Sequence, residues 1–369
     1  MNQDQDFMAV ALDFARLGLG RTSPNPAVGC VIVHGGKILS IGFHRKAGLP
    51  HAEVEALQRL RTRPTVLKEA TLYVTLEPCC HYGKTPPCTD LIIRSGIRSI
   101  VVGMEDPDTR VQGKGIEILR RAGIRVKTGV LEEECRSLNE AYVTHREKKR
   151  PFVFLKMATT LKGVVGWKGR GRLSSRLHVT GPAAQRYAHQ YRDQVDAILV
   201  GINTILADDP LLTTRLPDRR GKDPIRIILD RRLRIPLSAR LLHLSSGAKT
   251  TLVTAALGQE KKKQRLQKLG CEILYSPLSR NGRFDLKALL KKLAENSIVS
   301  VLVEGGPTVW SSFFEKRLVD RLLLFVGTNR WKSLSPGKMI QTPPRPIPLS
   351  FKRIDAKFLG QDLLIEGSY

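Results

Sequence analysis

The feature that most constrains this chain is a repeated switch between short apolar runs and helix-patterned segments, carried along its length and broken once. Strand-like runs at 28–33, 38–43, 72–76, 99–103 and 124–126 alternate with helical patterns at 8–19, 51–60, 88–95 and 115–122. Thr22-Ser23-Pro24-Asn25-Pro26 and Gly35-Gly36 supply turns, the second folding 28–33 back on 38–43 as a hairpin. Further strands are expected at 152–157, 197–200, 225–229, 251–253, 300–303 and 322–326, and helices at 182–191 and 286–293. The alternation predicts an α/β protein with a mixed sheet in front and a second α/β layer structure behind. The break is Lys148-Lys149-Arg150, closed by Pro151, which divides the chain into domains at 1–147 and 151–369. A length of 369 residues suits two domains of roughly 150 each.

No apolar run approaches the roughly 18 residues of a membrane span. The start, Met1-Asn2-Gln3-Asp4-Gln5-Asp6, is acidic where a signal peptide would be basic. A soluble cytoplasmic protein that needs no membrane is expected, and a homo-oligomer is the expected assembly. The charge is uneven. Residues 1–147 hold 20 Lys and Arg against 17 Asp and Glu, while residues 151–369 hold 38 against 17. Aromatics make up 6% of the chain and form no basic-aromatic platform, so phosphorylated small ligands are expected rather than nucleic acid. Six cysteines are too few for a disulfide scaffold. Cys79, Cys80 and Cys88 cluster and point to metal or catalysis, whereas Cys30, Cys135 and Cys271 read as small buried hydrophobes.

His51-Ala52-Glu53 opens a helix, and Pro78-Cys79 with Cys88 joins a strand to the next helix. One imidazole and two thiolates leave a four-coordinate zinc with an open position, the mark of a catalytic site. Zinc there would bring bound water to a pKa of about 7, giving hydroxide. Glu53 lies two residues past the ligand and could carry the proton from that water to a departing amine. Histidine-x-glutamate followed by a proline–cysteine pair is the known signature of zinc nucleobase deaminases, here with eight residues between the cysteines rather than two. The alternatives are buried thiols, or a closed structural site completed by Cys80 or His81. Neither calls for an acid at Glu53.

The run Thr71-Leu72-Tyr73-Val74-Thr75-Leu76-Glu77-Pro78-Cys79-Cys80-His81-Tyr82-Gly83-Lys84-Thr85-Pro86-Pro87-Cys88 resembles the bifunctional riboflavin-biosynthesis deaminase–reductases of bacteria. So do Pro24-Asn25-Pro26-Ala27-Val28-Gly29 and Gly48-Leu49-Pro50-His51-Ala52-Glu53, and the wide cysteine spacing is that family's own. The likeness continues through Asp196-Ala197-Ile198-Leu199-Val200-Gly201, Thr204-Ile205-Leu206-Ala207-Asp208-Asp209-Pro210, Pro224-Ile225-Arg226-Ile227-Ile228-Leu229-Asp230 and Val303-Glu304-Gly305-Gly306-Pro307-Thr308. It implies a cytidine-deaminase-like three-layer α/β/α domain followed by a dihydrofolate-reductase-like α/β domain. The implied chemistry is zinc-dependent deamination of a diaminopyrimidinone ribosyl phosphate, then reduction of its ribosyl to a ribityl chain by NADPH. By position the resemblance assigns zinc to His51, Cys79 and Cys88, and catalysis to Glu53. It assigns deaminase substrate contacts to Asn25, His44, Lys84, Asp106 and Asp108. In the second domain it assigns NADPH contacts to Ala158, Thr204, Asp208 and the segment 306–312, including Gly306, Pro307 and Thr308. Reductase substrate contacts fall on Arg192, Leu212, Arg215 and Glu304, the two arginines as phosphate partners.

The second half departs from the family at three places. Thr160-Leu161-Lys162-Gly163 carries a base where an acid is usual, and Ser174-Ser175-Arg176-Leu177-His178-Val179-Thr180 lacks the usual serine and tryptophan. Gly327-Thr328-Asn329-Arg330-Trp331-Lys332 replaces a glycine-closed run. The basic glycine-rich stretch 163–176 is expected to be a loop, with a role in ligand binding as one reading. A deaminase with a weakened or lost reductase is the nearest rival, and an RNA-binding or RNA-editing deaminase is the rival of another class.

Overall fold

The computed structural model describes residues 3–60, 64–82, 86–168, 179–279, 281–328, 338–341 and 351–369. They form two compact units, 1–150 and 151–369. The first contains α1 (Gln3–Arg16), β1 (Gly29–His34), β2 (Lys37–Phe43), α2 (Ala52–Gln58), α3 (Pro64–Glu69), β3 (Thr71–Leu76) and α4 (Cys88–Ser95). It continues with β4 (Ser99–Met104), α5 (Lys114–Arg121), β5 (Arg125–Thr128), α6 (Glu132–Leu138) and α7 (Glu140–Lys148). The sheet runs β2-β1-β3-β4-β5, antiparallel through the hairpin and parallel from β3 to β5. Helices α1 and α6 pack on one face, and α2, α4 and α5 line up on the other, which makes three layers.

The first helix is shifted from its expected place. It starts at Gln3, with Asp4 and Asp6 complementing the positive end of its dipole, and stops at Arg16, short of Gly18 and Gly20. The centre of the sheet is dry, as its β-branched sequence requires: Cys30, Val31, Ile32, Leu72, Val74, Ile100 and Val102 are all fully buried. At Gly42 a side chain would lie 2.2 Å from the Ala52 carbonyl. That missing Cβ lets the start of α2, and with it His51 and Glu53, come down onto β2.

The second unit contains β6 (Phe152–Thr160), β7 (Val164–Lys168), α8 (Pro182–Gln194), β8 (Ala197–Gly201), α9 (Ile202–Asp208), β9 (Ile225–Leu229), β10 (Thr250–Thr254) and α10 (Glu260–Lys268). After these come β11 (Cys271–Tyr275), α11 (Leu286–Glu295), β12 (Ser300–Val303), α12 (Pro307–Glu315), β13 (Arg321–Gly327), β14 (Lys338–Gln341), β15 (Arg353–Leu359) and β16 (Asp362–Ser368). The large sheet runs β11-β10-β9-β8-β12-β6-β13-β16-β15. Its first seven strands are parallel, and the C-terminal hairpin closes one side antiparallel. Along β8, Ala197 and Leu199 enter the core beneath α11 and α12, while Ile198 and Val200 enter a second core with Leu252 and Leu266. Burial on both faces explains why these strands read as unbroken apolar runs.

Part of the stretch expected to be a loop is not one. Val164–Lys168 form β7, paired antiparallel with β14. The remainder, 169–178, lies outside the described residues, as do 329–337. Cys30, Cys135 and Cys271 are buried, and all six cysteines are free thiols.

Candidate active sites

Each unit has a cavity at the carboxyl ends of its parallel strands, the usual place for a site in an open α/β sheet. In the first unit, β3 runs out into Glu77-Pro78-Cys79, Cys88 begins α4, and His51 caps α2 in an extended conformation. Their donor atoms lie within 4.8 Å of one another. His51 Nδ1 is 3.6 Å from Cys79 Sγ and 3.4 Å from Cys88 Sγ. A tetrahedral zinc, with Zn–N of about 2.0 Å and Zn–S of about 2.3 Å, has N···S edges of about 3.5 Å, so the three side chains fit that ion. A hydrogen bond with Cys88, aided by the His51 imidazole, holds the Cys79 thiol down at about 4. The bond to Cys79 in turn lifts His51 to about 9. The neighbouring Cys79 sulfur, together with burial, pushes Cys88 up. Cys79 thus supplies a thiolate at the point where a cation would sit.

Glu53 is in the first turn of α2, 3% exposed, and burial pushes its carboxyl above the ordinary range. Asn25, His44, Asp106 and Asp108 line the same cavity of about 450 Å³. His44 bonds the Pro50 carbonyl through Nδ1 at 3.0 Å, which leaves Nε2 to accept from the Asn25 amide at 3.3 Å. Asp106 accepts from Tyr142 Oη and the Asp108 backbone N–H, both at 2.9 Å. Asp108 is differently employed. Arg110 forks onto its carboxylate at 3.0 and 2.6 Å, Arg146 approaches to 3.4 Å, and its pKa is held well below the usual range. Lys84 lies outside the described residues. Tyr142 and Arg146 also line the cavity and were not picked out from sequence, because a helix of mean polarity gives no signal for them.

The second unit has a cavity of about 1140 Å³ lined by Ala158, Thr204, Asp208, Glu304, Gly306, Pro307 and Thr308. It is at least as large as the roughly 300–1000 Å³ typical of ligand sites. Helix α12 begins here with Gly306 as its cap. A Cβ at Gly305 would strike Val309 at 2.7 Å, whereas one at Gly306 would meet nothing within 4 Å. The first glycine therefore seats the helix, and the second keeps its N–H end open to a phosphate. Arg231, Arg232 and Arg234 line the far wall, three cations that suit a phosphorylated dinucleotide. Sequence reading left them among 38 Lys and Arg, with nothing to single them out.

Arg192 and Glu304, both assigned to the substrate by the resemblance, are brought together. The guanidinium forks onto the carboxylate at 2.7 and 2.8 Å and also donates to the Thr213 carbonyl at 3.0 Å. Burial alone would raise the Glu304 pKa, yet Arg192 and Lys156 hold it at about 2. Lys156, a cavity-lining residue missed in the sequence, is lowered by burial. Arg215 belongs to the same neighbourhood, its backbone N–H donating to His189 Nδ1 at 3.1 Å. Leu212 is 3% exposed and packs in the second core with a positive φ of 54°. Neither residue is among those lining the large cavity.

Residues 1–104 match the family described as the cytidine and deoxycytidylate deaminase zinc-binding region, and residues 151–329 match the RibD C-terminal domain. The riboflavin biosynthesis protein RibD of Aquifex aeolicus is 42% identical over 98% of this chain and 97% of its own length. That of Actinobacillus pleuropneumoniae is 39% identical over 98% and 94%. Among solved structures, Acinetobacter baumannii RibD superposes with a TM-score of 0.85 at 34% identity, covering 99% of this chain and 98% of that one. A diaminohydroxyphosphoribosylaminopyrimidine deaminase/5-amino-6-(5-phosphoribosylamino)uracil reductase from Thermotoga maritima gives 0.82 at 37%, with the same coverage. With a zinc-type deaminase site in one unit and a reductase fold in the other, the chain belongs to the RibD family of riboflavin-biosynthesis enzymes, a deaminase followed by a reductase.

Proposed function

We propose that His51, Cys79 and Cys88 hold one zinc and that Glu53 is the proton carrier of the deaminase. The substrate would be 2,5-diamino-6-ribosylamino-4(3H)-pyrimidinone 5′-phosphate. The observation that carries this reading is the convergence of the three donors within 4.8 Å, with the buried acid Glu53 two residues past His51 in the first turn of α2. Zinc, when bound, supplies Lewis acidity that brings water to a pKa of about 7. Glu53 takes the proton of the attacking water and passes it to the departing amine, a transfer favoured by a carboxyl whose pKa burial has raised. Asn25, held by His44 Nε2, presents the remaining donor and acceptor of its amide to the pyrimidine. Asp106 faces the same space, while Asp108 keeps Arg110 and Arg146 in place.

In the second unit, NADPH supplies the hydride for C1′ of the deaminated product. The C1′–O bond of the ribose ring opens, and its oxygen takes a proton for which Lys156 is the buried donor in the cavity. The start of α12, with Thr204, Asp208 and Ala158, would hold the dinucleotide, and Arg231, Arg232 and Arg234, which line the same cavity, would be the cations available to its phosphates. The Arg192–Glu304 pair forms one wall, and Arg215, whose guanidinium donates to Thr213 Oγ1 at 3.0 Å, is the proposed partner of the substrate phosphate. No helix among the described residues is long and apolar enough to cross a membrane. A cytoplasmic homo-oligomer, with its activities divided between 1–147 and 151–369, completes the proposal. The test is to incubate purified chain with the diaminopyrimidinone, with and without NADPH, and identify products by mass. Without NADPH the product should have exchanged one amino group for oxygen, with water taken up and ammonia released, and with NADPH it should gain two further hydrogens. No change of mass with zinc-loaded protein would overturn the reading.

A further inference from the structure

We infer that Arg110 and Arg146, held in place by Asp108, receive the phosphate of the deaminase substrate. They thereby make the first unit selective for the phosphorylated compound over the same compound without its phosphate. This rests on the deaminase reading above and names the residues that choose its substrate. The family resemblance assigns neither arginine a role.

A chain of backbone contacts runs along the cavity wall away from the metal ligands. Glu77, two residues before Cys79, accepts the Asp106 N–H at 3.1 Å. Asp106 accepts the Asp108 N–H at 2.9 Å, and Asp108 accepts the Arg110 N–H at 3.1 Å. The turn that carries Arg110 is thus braced residue by residue from the metal loop. Helix α7 brings Arg146 to the same carboxylate. Tyr142 donates to Asp106 at 2.9 Å, and the Arg146 guanidinium lies over the Tyr142 ring, 5.1 Å from its centroid. Among the described residues lining this cavity, Arg110 and Arg146 are the only arginine or lysine side chains.

These contacts orient the two guanidiniums without using them up. Asp108 engages Nε and Nη2 of Arg110 at 3.0 and 2.6 Å, which leaves Nη1 outside the fork. Arg146 approaches the same carboxylate through Nε at 3.4 Å. The Arg110 side chain is 62% exposed and that of Arg146 25%, against 8% for Asp108, so the carboxylate lies beneath and the cations face outward. A carboxylate and a phosphate are both acceptors. Asp108 can therefore serve a ribose hydroxyl, but it can meet a phosphate only through the arginines it holds. A guanidinium with its plane already fixed suits the bidentate geometry of a phosphate.

The test measures ammonia release by the zinc-loaded full chain from the diaminopyrimidinone ribosyl phosphate and from its dephosphorylated form. Two charge-assisted contacts of about tenfold each should give wild type a preference of about a hundredfold in kcat/KM for the phosphorylated compound. The double variant Arg110→Gln with Arg146→Met should lose most of that preference. Arg146→Lys, which keeps a cation without the fork, should fall between. Arg110→Gln alone changes a largely exposed side chain and should cost about tenfold of the preference, so the result stands even where the double variant fails to fold. Added inorganic phosphate should raise the KM of wild type for the phosphorylated compound more than that of the Arg110→Gln variant. Variants that lose activity on both compounds in equal proportion, with the preference kept, make the arginines mere supports of the cavity and overturn the proposal. Wild type that takes both compounds equally overturns it as well. Wild type that releases ammonia from neither overturns the deaminase reading itself.

Discussion

Glu77 stands immediately before the Pro-Cys pair, and Glu77→Gln tests how the metal loop is held. Its carboxylate is 3% exposed and accepts four backbone N–H groups. One oxygen takes Asp106 at 3.1 Å and Gly113 at 2.9 Å, and the other takes Gly115 at 2.9 Å and Ile116 at 3.2 Å. Three of these donors belong to the start of α5, so the side chain pins that helix to the end of β3. Glutamine has the same shape, but its amide nitrogen would face two donors. Each buried N–H left without an acceptor costs about 1–3 kcal/mol. Losing the negative charge at a helix N-terminus adds about 0.3–1 kcal/mol. We expect a loss of about 2–7 kcal/mol, or a fall in Tm of about 5–30 °C for a unit of this size. Because Cys79 follows two residues later, zinc affinity should fall at least tenfold, as when other outer supports of a metal site are removed. Thermal unfolding with and without chelator identifies the zinc-sensitive transition, and competition with a chromophoric chelator gives the affinity. A transition within about 1 kcal/mol of wild type, with zinc affinity unchanged, would refute this role for Glu77.

Three further outcomes are expected. Glu53→Gln should retain one zinc per chain by metal analysis while deamination falls about 10²–10⁴-fold; loss of the metal would make Glu53 a ligand instead. The Glu304 carboxyl, depressed from 4.5 to about 2, contributes stability that is present above the ordinary carboxylate range and lost as pH falls from there through about 2. The amount is about 3 kcal/mol, and denaturant melts of Glu304→Gln between pH 2 and 5 should show a flatter acid limb than wild type. Replacing Arg231 and Arg234 with Gln should raise the KM for NADPH more than that for NADH; equal changes would place the 2′-phosphate elsewhere.

What could be read in the sequence was what is local. His51 and Glu53 share one turn, and Cys79 and Cys88 flank one loop, so spacing alone brought them together. The parallel strands were legible because burial on both faces leaves them apolar throughout. The hairpin of β15 and β16 escaped notice, since a strand reading Arg-Ile-Asp-Ala-Lys-Phe-Leu at a sheet edge alternates weakly and carries charge. Helices α6 and α7 escaped for a similar reason, being short and mostly polar. Nor could the sequence show that Arg192 is committed to Glu304, a partnership spanning 112 positions. The same holds for Asp108, whose ion pairs with Arg110 and Arg146 no sequence pattern announces.

The residues lining the deaminase cavity all fall between 24 and 146, and those lining the reductase cavity between 156 and 313, on either side of the division after Arg150. Among the described residues, each cavity is therefore lined from one half alone. In genetic terms, lesions in the two halves should complement in trans. A strain carrying only Glu53→Gln and a second copy carrying only Lys156→Met should together sustain riboflavin synthesis that neither supports alone. In a mixture of the two purified chains, the reduced product should appear after a lag while the deaminated intermediate accumulates in solution. A mixture that accumulates the intermediate but never reduces it would show that the halves depend on each other within one chain.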